Sequence, residues 1–278
     1  MAPGNASRVA GLFVQLIINN MKTDYIPRLI AHRGYSSCFP ENTLLSLEQA
    51  FLAGACFVEC DVQLTKDDEP VILHDAELLR TAGVEGNVLD LAFSELATRH
   101  ANYQQRFADK FAKLSIPPLS DFVSLMQRWP ARKAFVEIKR ASIRKFGCEP
   151  VLQQIFQVVR PIKDQVVIIS FDYDIMKLVQ DVGGWQTGWV IDEWHEQNLQ
   201  LAQQLKPDFM FVDYECLPQD LPALPEASWR WALYEIDDPQ LALTWLKKGA
   251  TFIETNDIGR LLQLPEFSPG ACHDNPVL

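Results

Sequence analysis

Two histidines and three acids stand at the ends of short apolar runs. The runs are Ala31-His32-Arg33-Gly34, continuing through Pro40-Glu41-Asn42-Thr43; Val58-Glu59-Cys60-Asp61-Val62; Val71-Ile72-Leu73-His74-Asp75; and Val136-Glu137-Ile138-Lys139. An acid, a base, a set of carboxylate ligands and two cations are what hydrolysis of a phosphodiester with a divalent metal requires. Each piece alone carries little information; the set in this order is specific.

On a strand, residues i and i+2 face the same way. Glu59 and Asp61 therefore project together, as do Glu137 and Lys139, while Val58, Cys60, Val62, Val136 and Ile138 face the other side. Glu59, Asp61 and Glu137 make a hard-oxygen set suited to one divalent cation, Mg²⁺ or Ca²⁺, rather than zinc. Structural salt bridges to Lys139 and Arg33 are the alternative for these acids, but charges inside strands are costly without a partner or metal. His32 and His74 are expected to supply general acid and general base near neutral pH. Arg33 and Lys139 are expected to hold phosphate, against a buried pair with Glu41 for Arg33. Gly34 is read as a tight turn, Asn42 as a helix cap with Thr43 beginning the helix, and Glu41 and Asn42 as supports of the His32 loop. His100 and His195 read as solvated, although the loop of His195 lies within reach of substrate, and His273-Asp274 is discounted as part of the tail.

The elements that must position these groups alternate. Strands are expected at 29–32, 57–62, 134–139, 166–170, 186–191, 209–213, 231–236 and 251–254. Helices are expected at 44–53, 151–159, 175–182, 199–205 and 239–248. Eight such units fit a closed (β/α)₈ barrel, a TIM barrel of the α/β class, with its chemistry at the strand C-terminal ends. An extra strand, 71–73, ends in His74 and is followed by a small insertion at about 76–117, after the second strand. The insertion holds a polar helix-like stretch at 94–111. A single domain is expected over 22–264, with an N-terminal extension at 1–21 and a loose tail at 265–278.

The chain has 278 residues, 25 basic and 36 acidic side chains and a net charge of −11. That balance, with no Lys/Arg-rich run, argues against nucleic acid as partner. No apolar run reaches the ~20 residues of a membrane span, so no stable membrane insertion is expected. Residues 9–18 resemble a short signal-peptide core, but only Arg8 is basic ahead of them and no clear small-residue cleavage site follows. Met21 is the expected natural start. The six cysteines form no Cys-x-x-Cys pair, suit a reducing compartment and point to a cytoplasmic location. Cys60 reads as a core thiol. The oligomeric state is not set by these features.

Over residues 28–260 the motifs closely resemble those of the glycerophosphodiester phosphodiesterase family, in its cytoplasmic bacterial type. The resemblance implies that Glu59, Asp61 and Glu137 bind one divalent ion and that His32 and His74 act as acid and base. It further implies hydrolysis of a small glycerophosphodiester to sn-glycerol 3-phosphate and an alcohol. Attack by the glycerol 2-hydroxyl, through a cyclic phosphate, is the favoured route. Tyr234-Glu235-Ile236-Asp237 and Thr255-Asn256-Asp257-Ile258 depart from the family patterns Trp-Thr-Val-Asn and Thr-Asp-Arg-Pro, which bears on the substrate; Tyr234 is expected to line the pocket. Two other readings are carried. One is a phospholipase D acting on lysolipids, with Leu78, Leu79, Phe93 and Phe107 as an apolar rim. The other is a non-catalytic barrel binding a phosphorylated ligand.

Overall fold

The computed structural model describes residues 28–111, 113–267 and Cys272. Nine strands form one sheet: β1 (Arg28–Ala31), β2 (Phe57–Leu64), β3 (Pro70–Ile72), β4 (Lys133–Ile138), β5 (Val166–Ser170), β6 (Gln186–Ile191), β7 (Phe209–Asp213), β8 (Arg230–Tyr234) and β9 (Phe252–Thr255). All but β3 pair in parallel, and β1 pairs with both β9 and β2, which closes an eight-stranded barrel. β3 runs antiparallel along β2. A helix follows most strands, as the alternation predicts. Leu119–Arg128 and Arg140–Phe146 are helices that the periodicity did not delimit.

Strand parity separates two cores. Val58, Cys60, Val62, Val136 and Ile138 pack outward against the helix layer. Ile30, Phe57, Phe135, Val167, Ile169, Val190, Phe209, Phe211, Ala232 and Phe252 fill the barrel. The phenyl rings meet edge to face, Phe135 lying 5.2 Å from both Phe209 and Phe211, a favourable aromatic geometry. Gly188 makes room for them: a Cβ there would come 2.8 Å from Ile169 and 3.2 Å from Phe211. The lower barrel is thus solid, and polar residues gather above it.

The insertion folds on a small core of its own, around Leu78, Val88, Leu89, Leu96 and Ile116. The single helix expected at 94–111 is replaced by Phe93–Leu96, Gln104–Phe107 and a 3₁₀ turn, Ala108–Phe111. Its buried apolar positions, Leu96 and Ala101, are five apart and give no continuous helical stripe. Leu78 is buried and Phe93 packs on the same core, whereas Leu79 is 57% exposed.

Three other expectations change. Thr43, not Asn42, caps the Leu44–Leu52 helix, its hydroxyl accepting from the Ser46 amide. Phe267 is fully buried in the core and Cys272 is disulfide-bonded to Cys56, so these two residues of the expected loose tail are anchored. That bond also departs from the reduced cysteine pattern. Its partners lie 216 positions apart, with no sequence signal joining them. The readings of residues 1–21 and of His273-Asp274 lie outside the described residues.

Candidate active site

Above the phenyl floor, His32, Arg33, Glu59, His74, Glu137, Lys139, Tyr234, Glu235 and Glu254 line a cavity of about 220 Å³, together with Ile169, Phe171, Val190 and Phe211. β2 and β4 set its acids. Their register places Asp61 beside Glu137, and Glu59 stands one inward position below. One ligand atom from each of Glu59, Asp61 and Glu137 lies within 4.8 Å of the others, and all three side chains are buried. The predicted set is therefore brought together.

The two cations are paired with these acids. Lys139 Nζ lies 2.7 Å from Glu137 and 3.1 Å from Asp61. Arg33 Nε lies 3.1 Å from Asp61, and Nη1 donates to Glu41 Oε1 at 2.9 Å. The pairing weighed against phosphate contact is thus present in the structure, while both cations still line the cavity. Arg33 stands in the left-handed region with φ 56°, and its amide donates to Glu59 Oε2 at 3.0 Å. Gly34 follows at φ 84°, where a Cβ would come 2.5 Å from the Ser46 backbone. The tight turn is thus demanded by packing on the Leu44–Leu52 helix. Asn42 braces the same site: its side chain donates to Asp61 Oδ2 at 2.7 Å and accepts from the Asp61 amide at 3.1 Å.

Each histidine is held at Nδ1. His74 Nδ1 lies 2.6 Å from Asp75 Oδ1. Asp75 in turn accepts from Arg80, and Arg80 forks onto both oxygens of Glu41 at 2.8 Å. His32 Nδ1 lies 3.1 Å from Asn256 Oδ1 and 3.4 Å from Glu235. Asn256 donates to Glu235 at 2.7 Å and accepts from the Ser36 hydroxyl, which orients its oxygen to accept a second hydrogen bond, from Nδ1–H. Both rings then carry Nδ1–H and keep the lone pair on Nε2. His32 Nε2 lies 4.0 Å from Glu59.

Electrostatics follow from crowding. Burial, then Asp61, Glu254 and Glu137, push Glu59 well above the carboxylate range. Burial also raises Glu137, opposed by Lys139. Asp61 is held low, since Lys139 and Arg33 outweigh its burial. Burial and Arg33 lower His32, but Glu254 and Glu235 outweigh them and its pKa is raised. Burial leaves His74 lowered.

Sequence reasoning missed Glu254, Glu235 and Asn256. Glu254 projects inward from β9 with Phe252, is 3% exposed and is pushed up to about 7 by burial. Its signal was parity: it lies two places from an apolar residue on a strand. Glu235 and Asn256 belong to the two motifs expected to bear on substrate; they reach His32 instead. Tyr234 lines the cavity, its ring 6.5 Å from Phe171. His195 is exposed and pairs with Glu193, and His100 is exposed on the insertion, both away from the cavity lining.

Among known proteins, the Glycerophosphoryl diester phosphodiesterase family model matches residues 32–211. A glycerophosphodiester phosphodiesterase of Caldanaerobacter subterraneus is 28% identical over 246 residues, covering 85% of this chain and 96% of that protein. Uncharacterized protein YqiK of Bacillus subtilis is 36% identical over 158 residues, 54% of this chain and 60% of its own length. A Bacillus altitudinis glycerophosphodiester phosphodiesterase is 31% identical, again over 60% of its length. The chain thus spans less than two thirds of these two Bacillus relatives. Among solved structures, an Oleispira antarctica phosphodiesterase in complex with the product sn-glycerol-3-phosphate superposes with a TM-score of 0.76 at 23% identity, covering 86% of this chain and 96% of that one.

Proposed function

The chain belongs to the glycerophosphoryl diester phosphodiesterase family, and from that membership we propose that it hydrolyses small glycerophosphodiesters to sn-glycerol 3-phosphate and an alcohol. The observation that carries the reading is the pair His32 and His74. Each is tied at Nδ1 and lines the same cavity as Glu59 and Glu137, with Asp61 converging on those two acids. Binding a phosphate ligand alone does not call for two imidazoles poised in this way.

The three acids fit a divalent cation. They are oxygen donors with converging atoms, and Glu59 Oε1 is buried with no hydrogen-bond partner among the described residues. Mg²⁺ or Ca²⁺ suits such a set, and when bound it supplies positive charge to the phosphoryl oxygens. Lys139 and Arg33 add charge and donors beside the same oxygens. One histidine takes the proton of the glycerol 2-hydroxyl as that oxygen attacks phosphorus. The other protonates the departing alcohol, and the two exchange roles when water opens the cyclic phosphate. A tethered hydroxyl reaches an effective concentration on the order of 10⁵ M or more when well oriented.

The test compares release of sn-glycerol 3-phosphate from glycerophosphocholine and from its 2-deoxy analogue, with and without chelator. The expected result is chelator-sensitive turnover of the first and little of the second. Equal kcat for the two would defeat internal attack, and full turnover in chelator would defeat the cation. Of the rim that the lysolipid reading calls for, Leu78 is buried and Phe93 packs on the insertion core, while Leu79 is exposed and Phe107 lies half-buried against Tyr103 and Phe111.

Among the described residues no helix is long and apolar enough to cross a membrane. A cytoplasmic location stands against the Cys56–Cys272 bond, which persists in oxidising surroundings. Alkylation before lysis decides: modified Cys56 places the protein in a reducing compartment, and protected Cys56 places it outside one.

A further inference from the structure

Beside the three-acid set lies a second convergence of donors. One ligand atom from each of His32, Glu59 and Glu254 lies within 4.8 Å of the others, and all three residues are buried. Glu254 comes from β9 and Glu59 from β2, with β1 and His32 between them. Neither carboxylate is satisfied: Glu59 Oε1 and Glu254 Oε1 are buried, with no hydrogen-bond partner among the described residues. By contrast, Asp61 and Glu137 already have Lys139, and Asp61 has Arg33 and Asn42 as well. The unmet demand for positive charge therefore lies on the His32 side. Leaving such oxygens unmet is costly.

His32 is set up as a ligand. Its Nδ1–H is directed to Asn256, backed by Glu235, and its Nε2 lone pair faces Glu59. An imidazole that ligates a metal commonly donates its other N–H to a carbonyl or carboxylate, which fixes the tautomer and the ring plane.

The geometry points to a second divalent-cation site formed by Glu254, Glu59 and His32 Nε2, sharing Glu59 with the three-acid set. One nitrogen and two carboxylates favour a transition-series ion that accepts both donor types, such as Zn²⁺ or Mn²⁺, over Mg²⁺ or Ca²⁺. Filling the site occupies the lone pair of His32, so occupation is inhibitory; this consequence, though not the binding itself, rests on the catalytic reading given above.

The probe is Mn²⁺, added to full-length protein stripped by chelation and counted by electron paramagnetic resonance. Wild type is expected to bind two equivalents, and Glu254→Gln and Glu137→Gln one each. With Mg²⁺ in excess, wild type keeps one Mn²⁺, whose spin echo shows a directly bound nitrogen; this reading needs no variant. Turnover of glycerophosphocholine in Mg²⁺ is expected to fall at least tenfold as that equivalent binds. A single equivalent in wild type, a second that persists in Glu254→Gln, or an echo without nitrogen would each overturn the site. Undiminished turnover with the site filled would overturn the inhibition. Absence of any diester turnover, with two equivalents and the nitrogen signal intact, would leave the site standing and sink the catalytic reading instead.

Discussion

His32 and His74 differ in what surrounds them more than in what they are. Glu235 and Glu254 raise the first, and burial lowers the second. Replacing either with Ala is expected to cut turnover by about 10²–10⁴-fold, the worth of a positioned acid or base. The double variant should be little worse than either single, because in the proposed mechanism the two act as a unit; measured kcat values that multiply would separate their roles. Both residues were legible from the sequence, each ending an apolar run beside acid-bearing strands. Glu254 was equally exposed to that logic, since it follows Phe252 by two places on β9, but one acid in a short strand has no companion to draw attention to it. The Arg33–Glu41 pair was foreseen only as an alternative, because a sequence shows which charges exist and not which will meet.

At the scale of elements, the alternation of strands and helices gave the barrel, and parity gave the inward acids on β2 and β4. What it could not give is contact between loop ends. The turns after β8 and β9 are far from His32 in sequence, yet Glu235 and Asn256 meet its ring because β9 pairs with β1. Asp237 stitches these two turns together, accepting from the Thr255 hydroxyl at 2.7 Å and the Asn256 amide at 2.8 Å. Glu235 is itself held down at about 2 by its hydrogen bond to His32. Its charge favours the imidazolium, so Glu235→Gln should lower the pKa of His32. The limb of the kcat/KM profile that reports His32 should then move to lower pH, while fold and thermal midpoint change little. An unmoved profile would assign that limb to another group.

For the whole molecule, several acids sit closer together than their charges allow. Glu254 keeps a proton to about pH 7 in ion-free protein, whereas an unfolded chain releases it near 4.5. That proton stabilises the folded state fully below pH 4.5, and its contribution fades as pH rises toward 7. Glu59 and Glu137 of the three-acid set are raised as well, and cations compete with protons for such carboxylates, so binding there is weak in acid and strengthens as the protons leave. The gain in thermal midpoint from Mg²⁺ or Ca²⁺ should therefore be small at pH 5 and grow through pH 8. A gain that is flat, or larger at pH 5, would show that these acids are not where the ion binds. The Cys56–Cys272 bond lies at this scale too, and no local pattern announces a link across 216 positions.

The packed phenyl rings below the site have a kinetic meaning as well as a structural one. Among the described residues, Phe57, Phe135, Phe209, Phe211 and Phe252 stopper the barrel below the site and leave no back door. Whatever enters from the strand C-terminal end must leave by the same passage, and a departing molecule blocks an arriving one. Traffic through a single doorway makes the phosphorylated product a rival of the substrate. Added sn-glycerol 3-phosphate should raise the apparent KM for glycerophosphocholine and leave kcat unchanged. A fall in kcat at unchanged KM would mean that product waits somewhere other than the threshold.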